Sequence, residues 1–94
     1  MKVHVVYFGP FRELTSVSEE VHELPSPASL GDLLNDVIDA HGERMREQLF
    51  GNEGEFHEHV NVLVNGRESR SLGALDAPLS DGDRVALLLT VGGG

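Results

Sequence analysis

Residues 85–94 read VALLLTVGGG. Val85, Leu87, Leu89 and Val91 fall on one side of this run, and Ala86, Leu88 and Thr90 fall on the other. Alternation over residues 84–91 is the pattern of a strand, and apolar side chains in both sets suit a strand inside a sheet. Three glycines follow: Gly92, Gly93 and Gly94. Glycine loses more freedom on ordering than any other residue, so a run of it suits a segment that is not packed. Three extended residues reach about 10 Å beyond a sheet. Without side chains, such a tail is thin enough to thread a narrow channel in another protein. Its only reactive group is the α-carboxyl of Gly94.

Outward from this strand, the chain supplies the partners of a sheet. Residues 2–8, KVHVVYF, put Val3, Val5 and Tyr7 on one side and His4, Val6 and Phe8 on the other. Gly9 breaks this strand, and Pro10 opens a helical turn that brings Phe11 and Leu14 back onto the core. Residues 18–24, SEEVHEL, read as a polar edge strand, with Glu19, Glu20 and Glu23 on its wet side; Pro25 and Pro27 end it. Ser29 is an N-cap, with Asp32 three residues on. The helix it opens carries Leu30, Leu33, Leu34, Val37 and Ile38 on one face and Asp32, Asp36 and Asp39 away from it. It closes near His41-Gly42, and a helical pattern resumes over residues 43–50. A loop precedes the strand VNVLV, residues 60–64. Asn65-Gly66 is a hairpin turn, answered by a short polar strand, RESRS. A connector, LGALDAPLSDGD, leads to the last strand.

This order predicts an α+β domain, a mixed sheet of four to five strands with one main helix packed on one face. The first and last strands are the most apolar, so they form a parallel central pair with antiparallel edges. We expect residues 1–91 to be the folded domain and 92–94 a flexible tail. One helix leaves the other sheet face open, and Leu88 points there, beside Ala86. A large apolar side chain on an open face predicts a docking patch for a partner.

Composition narrows the function. Ninety-four residues with 39% apolar content make one globular domain. Sixteen acidic residues against seven basic ones give a net charge of −9, which repels phosphate backbones and argues against nucleic-acid binding. Lys2 is the single lysine. Acidic, lysine-poor surfaces occur in proteins kept soluble at high salt and also in ordinary acidic domains. No apolar stretch approaches the ~20 residues of a membrane helix, and the first ten residues lack a signal-peptide pattern, so a cytoplasmic location is expected. There is no cysteine, hence no disulfide, thiolate nucleophile or cysteine metal site.

The remaining chemistry is sparse. Glu55, His57 and His59 alternate and could ligate a divalent ion, but a solvated loop in a polar region is the favoured reading. His4, His22 and His41 show no spacing signal. No phosphate-binding glycine loop and no G-x-S-x-G are present. No catalytic residues, resident cofactor or metal are expected. A carboxylate is a poor electrophile until it is activated as an acyl-adenylate. Sulfur can then attack it to give a thiocarboxylate, or an amine can attack it to give an isopeptide bond.

With these elements in place, the sequence resembles the ubiquitin-like β-grasp family. It is similar to the small sulfur-carrying subunit of molybdopterin synthase and to the small archaeal modifier proteins. VVYFGPFRELT, SLGDLLNDV, HVNVLVNG and PLSDGDRVALLLTVGGG carry the resemblance, which spans essentially the whole chain; LFGNEGEFHEHVNVLVNG is closest to the archaeal branch. The resemblance implies that a ubiquitin-activating-like enzyme adenylates Gly94 with ATP, and that Gly93 is the required penultimate glycine. It implies Leu88 as an apolar contact for a large-subunit partner, and a haloarchaeal origin that suits the composition. Relatives often have prolines before the tail where this chain has Leu89–Val91. Three functions follow as expectations. The first is a modifier joined to target lysines, whose tail can also be thiolated. The second is the dedicated small subunit of molybdopterin synthase. The third is a non-covalent interaction domain.

Overall fold

The computed structural model describes residues 1–90; Val91 and the three glycines lie outside the described residues, so the expected division between domain and tail is not addressed by it. The first strand, β1, spans Lys2–Tyr7, and α1 spans Gly9–Thr15. Strand β2 is Glu19–Glu23 and β3 is Ala28–Ser29. Helix α2 is Leu30–His41 and α3 is Glu43–Leu49. Then come β4 (Val60–Val64), β5 (Arg67–Glu68), two 3-10 turns (Ser69–Leu72 and Ala74–Asp76), β6 (Pro78–Leu79) and β7 (Arg84–Leu89).

Five strands form one mixed sheet in the order β2-β1-β7-β4-β5. Strands β1 and β7 are parallel, with His4 opposite Arg84 and Tyr7 opposite Leu87. Strands β2 and β4 flank this pair, each antiparallel to its neighbour. The expected parallel centre with antiparallel edges is therefore present. Val3, Val5, Tyr7, Val60, Val62, Val64, Val85 and Leu87 are all buried on one face. Leu30, Leu33, Leu34, Val37 and Ile38 of α2 are buried with them in one core.

Local chemistry sets the boundaries of α2. Ser29 and Asp32 form a reciprocal capping box: Asp32 N donates to Ser29 Oγ at 3.2 Å, and Ser29 N donates to Asp32 Oδ2 at 2.9 Å. Gly42, at φ 89°, turns the chain between α2 and α3, a conformation that disfavours a side chain. At the hairpin, Asn65 and Gly66 both have positive φ, as the sequence pair demands. Asn65 also ties that turn to the start of β7, donating to Asp83 Oδ1 and accepting from Arg84 N, each at 3.0 Å.

Three features differ from the sequence reading. Covering the sheet takes more than α2, because Phe11 of α1 and Met45 and Leu49 of α3 are also fully buried. The segment RESRS pairs with β4 only through Arg67 and Glu68; Ser69 turns inward and starts a 3-10 turn. A two-stranded ribbon of β3 and β6 closes the N-terminal end of α2, where Leu30 N donates to Ala77 O at 2.8 Å. Two-residue strands carry no periodicity, so alternation cannot reveal them.

Candidate functional site

Strand β7 is paired with β1 as far as Leu87 and with β4 as far as Leu89. Just beyond it, Thr90 N donates to His59 O at 2.8 Å, and the Thr90 hydroxyl reaches the same carbonyl at 3.3 Å. The chain is thus anchored to within four residues of Gly94. The expected reacting residues Gly93 and Gly94, and Gly92 before them, lie outside the described residues.

The sheet face away from the helices carries the other expected residues. Ala86 and Leu88 are half-buried and lie on the opposite side of β7 from buried Val85 and Leu87. In the register, Ala86 is flanked by Val6 of β1 and Leu63 of β4, so three apolar side chains form a row across the sheet. Phe8, half exposed, follows β1 at the level of Leu88; its N donates to Leu87 O at 3.1 Å. Val21 of β2, opposite His4, is also half exposed on this face. Val6, Phe8, Leu63 and Ala86 line a shallow depression of about 240 Å³ with Arg84 at its rim. Sequence reasoning picked out Leu88 and Ala86 but did not join Val6, Phe8, Val21 and Leu63 to them. The signal was available: in each strand these residues occupy the alternation set opposite the core set.

A second group of polar side chains lies on the helix side of the sheet. Glu20 Oε2 accepts from the Tyr7 hydroxyl at 2.5 Å. It also lies 2.7 Å from Nε2 of His22 and 2.7 Å from Nε2 of His41. His22 Nδ1 is 2.7 Å from Asp36 Oδ2 on α2, and the His22 side chain is only 7% exposed. Burial opposes ionisation of Glu20, but the hydrogen bonds from Tyr7, His41 and His22 outweigh it and hold the carboxyl down to about 2. Burial first, then the hydrogen bond and charge of Glu20, push the Tyr7 hydroxyl up. This arrangement corrects two expectations. Glu20 is not on the wet side of β2 with Glu19 and Glu23, because strand alternation turns it inward with His22. His22 and His41 are not unrelated; α2 brings them to one carboxylate. With every buried side-chain polar atom among the described residues partnered, the group works as a clasp between β2 and α2.

The metal reading of Glu55, His57 and His59 is not supported. His57 Nε2 is 2.7 Å from Glu47 O, and among the described residues no three His, Cys, Asp or Glu side chains are placed to hold an ion. Nor is any described helix long and apolar enough to cross a membrane.

Residues 5–94 match the ThiS family. The chain belongs to the ThiS family. It is 33% identical over 94 residues to small archaeal modifier protein 3 of Haloferax volcanii, covering all of both chains. It is 31% identical over 97 aligned positions to the molybdopterin synthase sulfur carrier subunit of Chlamydomonas reinhardtii, again over the whole of both. The crystal structure of a small archaeal modifier protein, SAMP1 of Haloferax volcanii, superposes with a TM-score of 0.82 at 29% identity and covers all of both chains. The fold is the ubiquitin-like β-grasp. As a ThiS-family protein the chain is a modifier or sulfur carrier that acts with partner enzymes, and is not itself a catalyst.

Proposed function

We propose that the α-carboxyl of Gly94 is the reacting group, adenylated with ATP by a ubiquitin-activating-like enzyme and then joined to lysines of target proteins. The same acyl-adenylate can accept sulfur and become a thiocarboxylate. Gly93, with Gly92 before it, lets the tail enter the activating enzyme's channel. Leu88 and Ala86, with Val6, Phe8 and Leu63, form the surface on which that enzyme docks. ATP-dependent activation puts the reaction in the cytoplasm. The observation that carries this reading is positional: the central strand β7 contributes Ala86 and Leu88 to the open apolar face and ends at Leu89, five residues before Gly94 in the sequence, so one partner can grip the face and receive the tail.

The second reading is a dedicated small subunit of molybdopterin synthase, with the tail entering the large subunit and donating sulfur to a pterin precursor. The full-length match to the Chlamydomonas carrier subunit favours it. Mass spectrometry of the protein and its adducts in cells separates the two. Isopeptide-linked tail remnants on many proteins support the modifier. A thiocarboxylate alone, with a pterin defect on deletion of the protein, supports the dedicated subunit. If removal of Gly93 and Gly94 changes neither the adducts nor pterin synthesis, both readings fail and a non-covalent domain remains.

A further inference from the structure

The apolar row on the open sheet face has a charged end. His4 of β1 is level with Arg84 of β7 and with Val21 of β2, so Arg84 shares a face with Val6, Ala86 and Leu63. Arg84 is the first residue of β7, and Leu88 is four residues further along it. Val6, Phe8, Leu63 and Ala86 line the depression of about 240 Å³, and Arg84 stands at its rim. Pockets for small molecules hold roughly 300–1,000 Å³, so this one suits a single apolar side chain of a protein partner.

Charge is spread unevenly around this face. Its strands carry Lys2 and Arg84 against Glu19, Glu23 and Glu68, a net of −1. The other five basic and thirteen acidic residues carry −8. A partner's carboxylate therefore meets least repulsion on the open face. Arg84 is held ready for one. Its backbone N donates to Asn65 Oδ1 at 3.0 Å, and its carbonyl accepts from Asn65 N at 2.8 Å. Its Nη1 lies 2.9 Å from Glu19 Oε1, yet the side chain is 58% exposed. Glu19 Oε1 is also 3.7 Å from His4 Nδ1. A guanidinium has five N–H donors in a fixed fork, and among the described residues Glu19 is the one carboxylate paired with Arg84. The donors that remain suit a second carboxylate, which such a fork binds through two parallel hydrogen bonds.

We propose that Arg84 orients the activating enzyme on this face, by pairing with a carboxylate of that enzyme set beside an apolar side chain that fills the depression. This rests on the activation reading above. Burial of an apolar row gives affinity without direction, because the hydrophobic effect is non-directional. A charged pair at one end of the row fixes the register. The pair lies at the start of β7 and Leu88 near its end, so an enzyme that engages both sits one way round along this strand. Glu19 restrains the guanidinium before docking, so less freedom is lost when the second carboxylate binds.

The test starts with the activating enzyme, purified from the native cells by ATP–pyrophosphate exchange that depends on the wild-type protein. Exchange is then measured against concentration for full-length wild type, Arg84→Gln, Arg84→Lys and Glu19→Gln. The expected result for Arg84→Gln is a KM at least fivefold higher with kcat within twofold of wild type. Arg84→Lys should show a smaller rise, because it keeps the charge and loses the fork. The rise for Arg84→Gln should shrink with added salt, which screens an exposed pair. Glu19→Gln separates contact from support: it breaks the same internal ion pair but leaves the guanidinium, and its KM should not rise. Equal rises for Arg84→Gln and Glu19→Gln overturn the proposal, because the pair then acts only within the fold. An unchanged KM for Arg84→Gln also overturns it, while the activation reading stands if removal of Gly93 and Gly94 abolishes exchange. Absence of any exchange dependent on wild type overturns the activation reading and this proposal with it.

Discussion

Glu20 places three donors on one carboxylate oxygen, and that ties the stability of the fold to its ionisation. Its carboxyl lies at about 2 in the folded state, against an ordinary value of 4.5. A depressed folded value gives stabilisation that is fully present above the unfolded value and is lost as pH falls from about 4.5 toward 2. The contribution is at most about 3 kcal/mol. Glu20→Gln should be less stable than wild type at pH 7, and the difference should shrink through that acid window, as read by urea denaturation at pH 7 and pH 3. On the other face, Leu88→Glu should change stability by less than about 1 kcal/mol, because the side chain is half-buried and faces away from the core. Binding of the activating enzyme, followed by calorimetry, should fall at least tenfold, since a carboxylate would be desolvated in an apolar contact. The two residues differ in how far sequence alone could take them. Leu88 was legible because alternation assigns it a face. Glu20 was not, because its partners come from β1, β2 and α2, and spacing within one segment says nothing about a meeting between segments.

At the scale of elements, α2 is specified twice. Its apolar residues are spaced for one buried face, and Ser29 and Asp32 close its first turn on each other. Ser29→Ala removes one half of the capping box and should cost about 1 kcal/mol. Leu34→Ala leaves a cavity between α2 and the sheet and should cost about 2–5 kcal/mol. Thermal and urea unfolding of the two variants checks both values, and comparable losses would mean that packing does not dominate this helix. Both features are local, so the position and the end of α2 can be read from the chain. The helices α1 and α3 are shorter, and each buries only one or two large side chains, Phe11 in α1 and Met45 and Leu49 in α3. Their role in roofing the sheet comes from where the chain carries them after β1 and α2. Strand β5 ends at Glu68 because Ser69 is drawn into the interior, a preference of the assembled core that polar composition does not record.

At the scale of the molecule, one sheet separates two jobs. One face holds the core, and the opposite face carries the apolar row Val6, Ala86 and Leu63. Deleting Gly93 and Gly94 should shift the melting temperature by less than about 2 °C, because the described bonds that anchor β7, through Thr90 N to His59 O, all lie before the two glycines. ATP-dependent activation of the deleted form should be lost completely in an assay of adenylate formation with the partner enzyme. A large drop in melting temperature would mean that the glycines contribute to the fold and are not a free end.

By itself the sequence determined the four longer strands and the main helix, the parallel centre of the sheet, the side of β7 on which Leu88 lies, and the chemistry available to a cysteine-free chain ending in glycines. Those are properties of periodicity, capping and composition, which act over a few neighbouring residues. Only the tertiary structure decided that Glu20, His22, His41 and Tyr7 share one site, and that Phe8 and Leu63 extend the patch around Ala86. Each of these depends on strand order and register. Contacts between residues far apart in the chain set that order, and no local pattern encodes it.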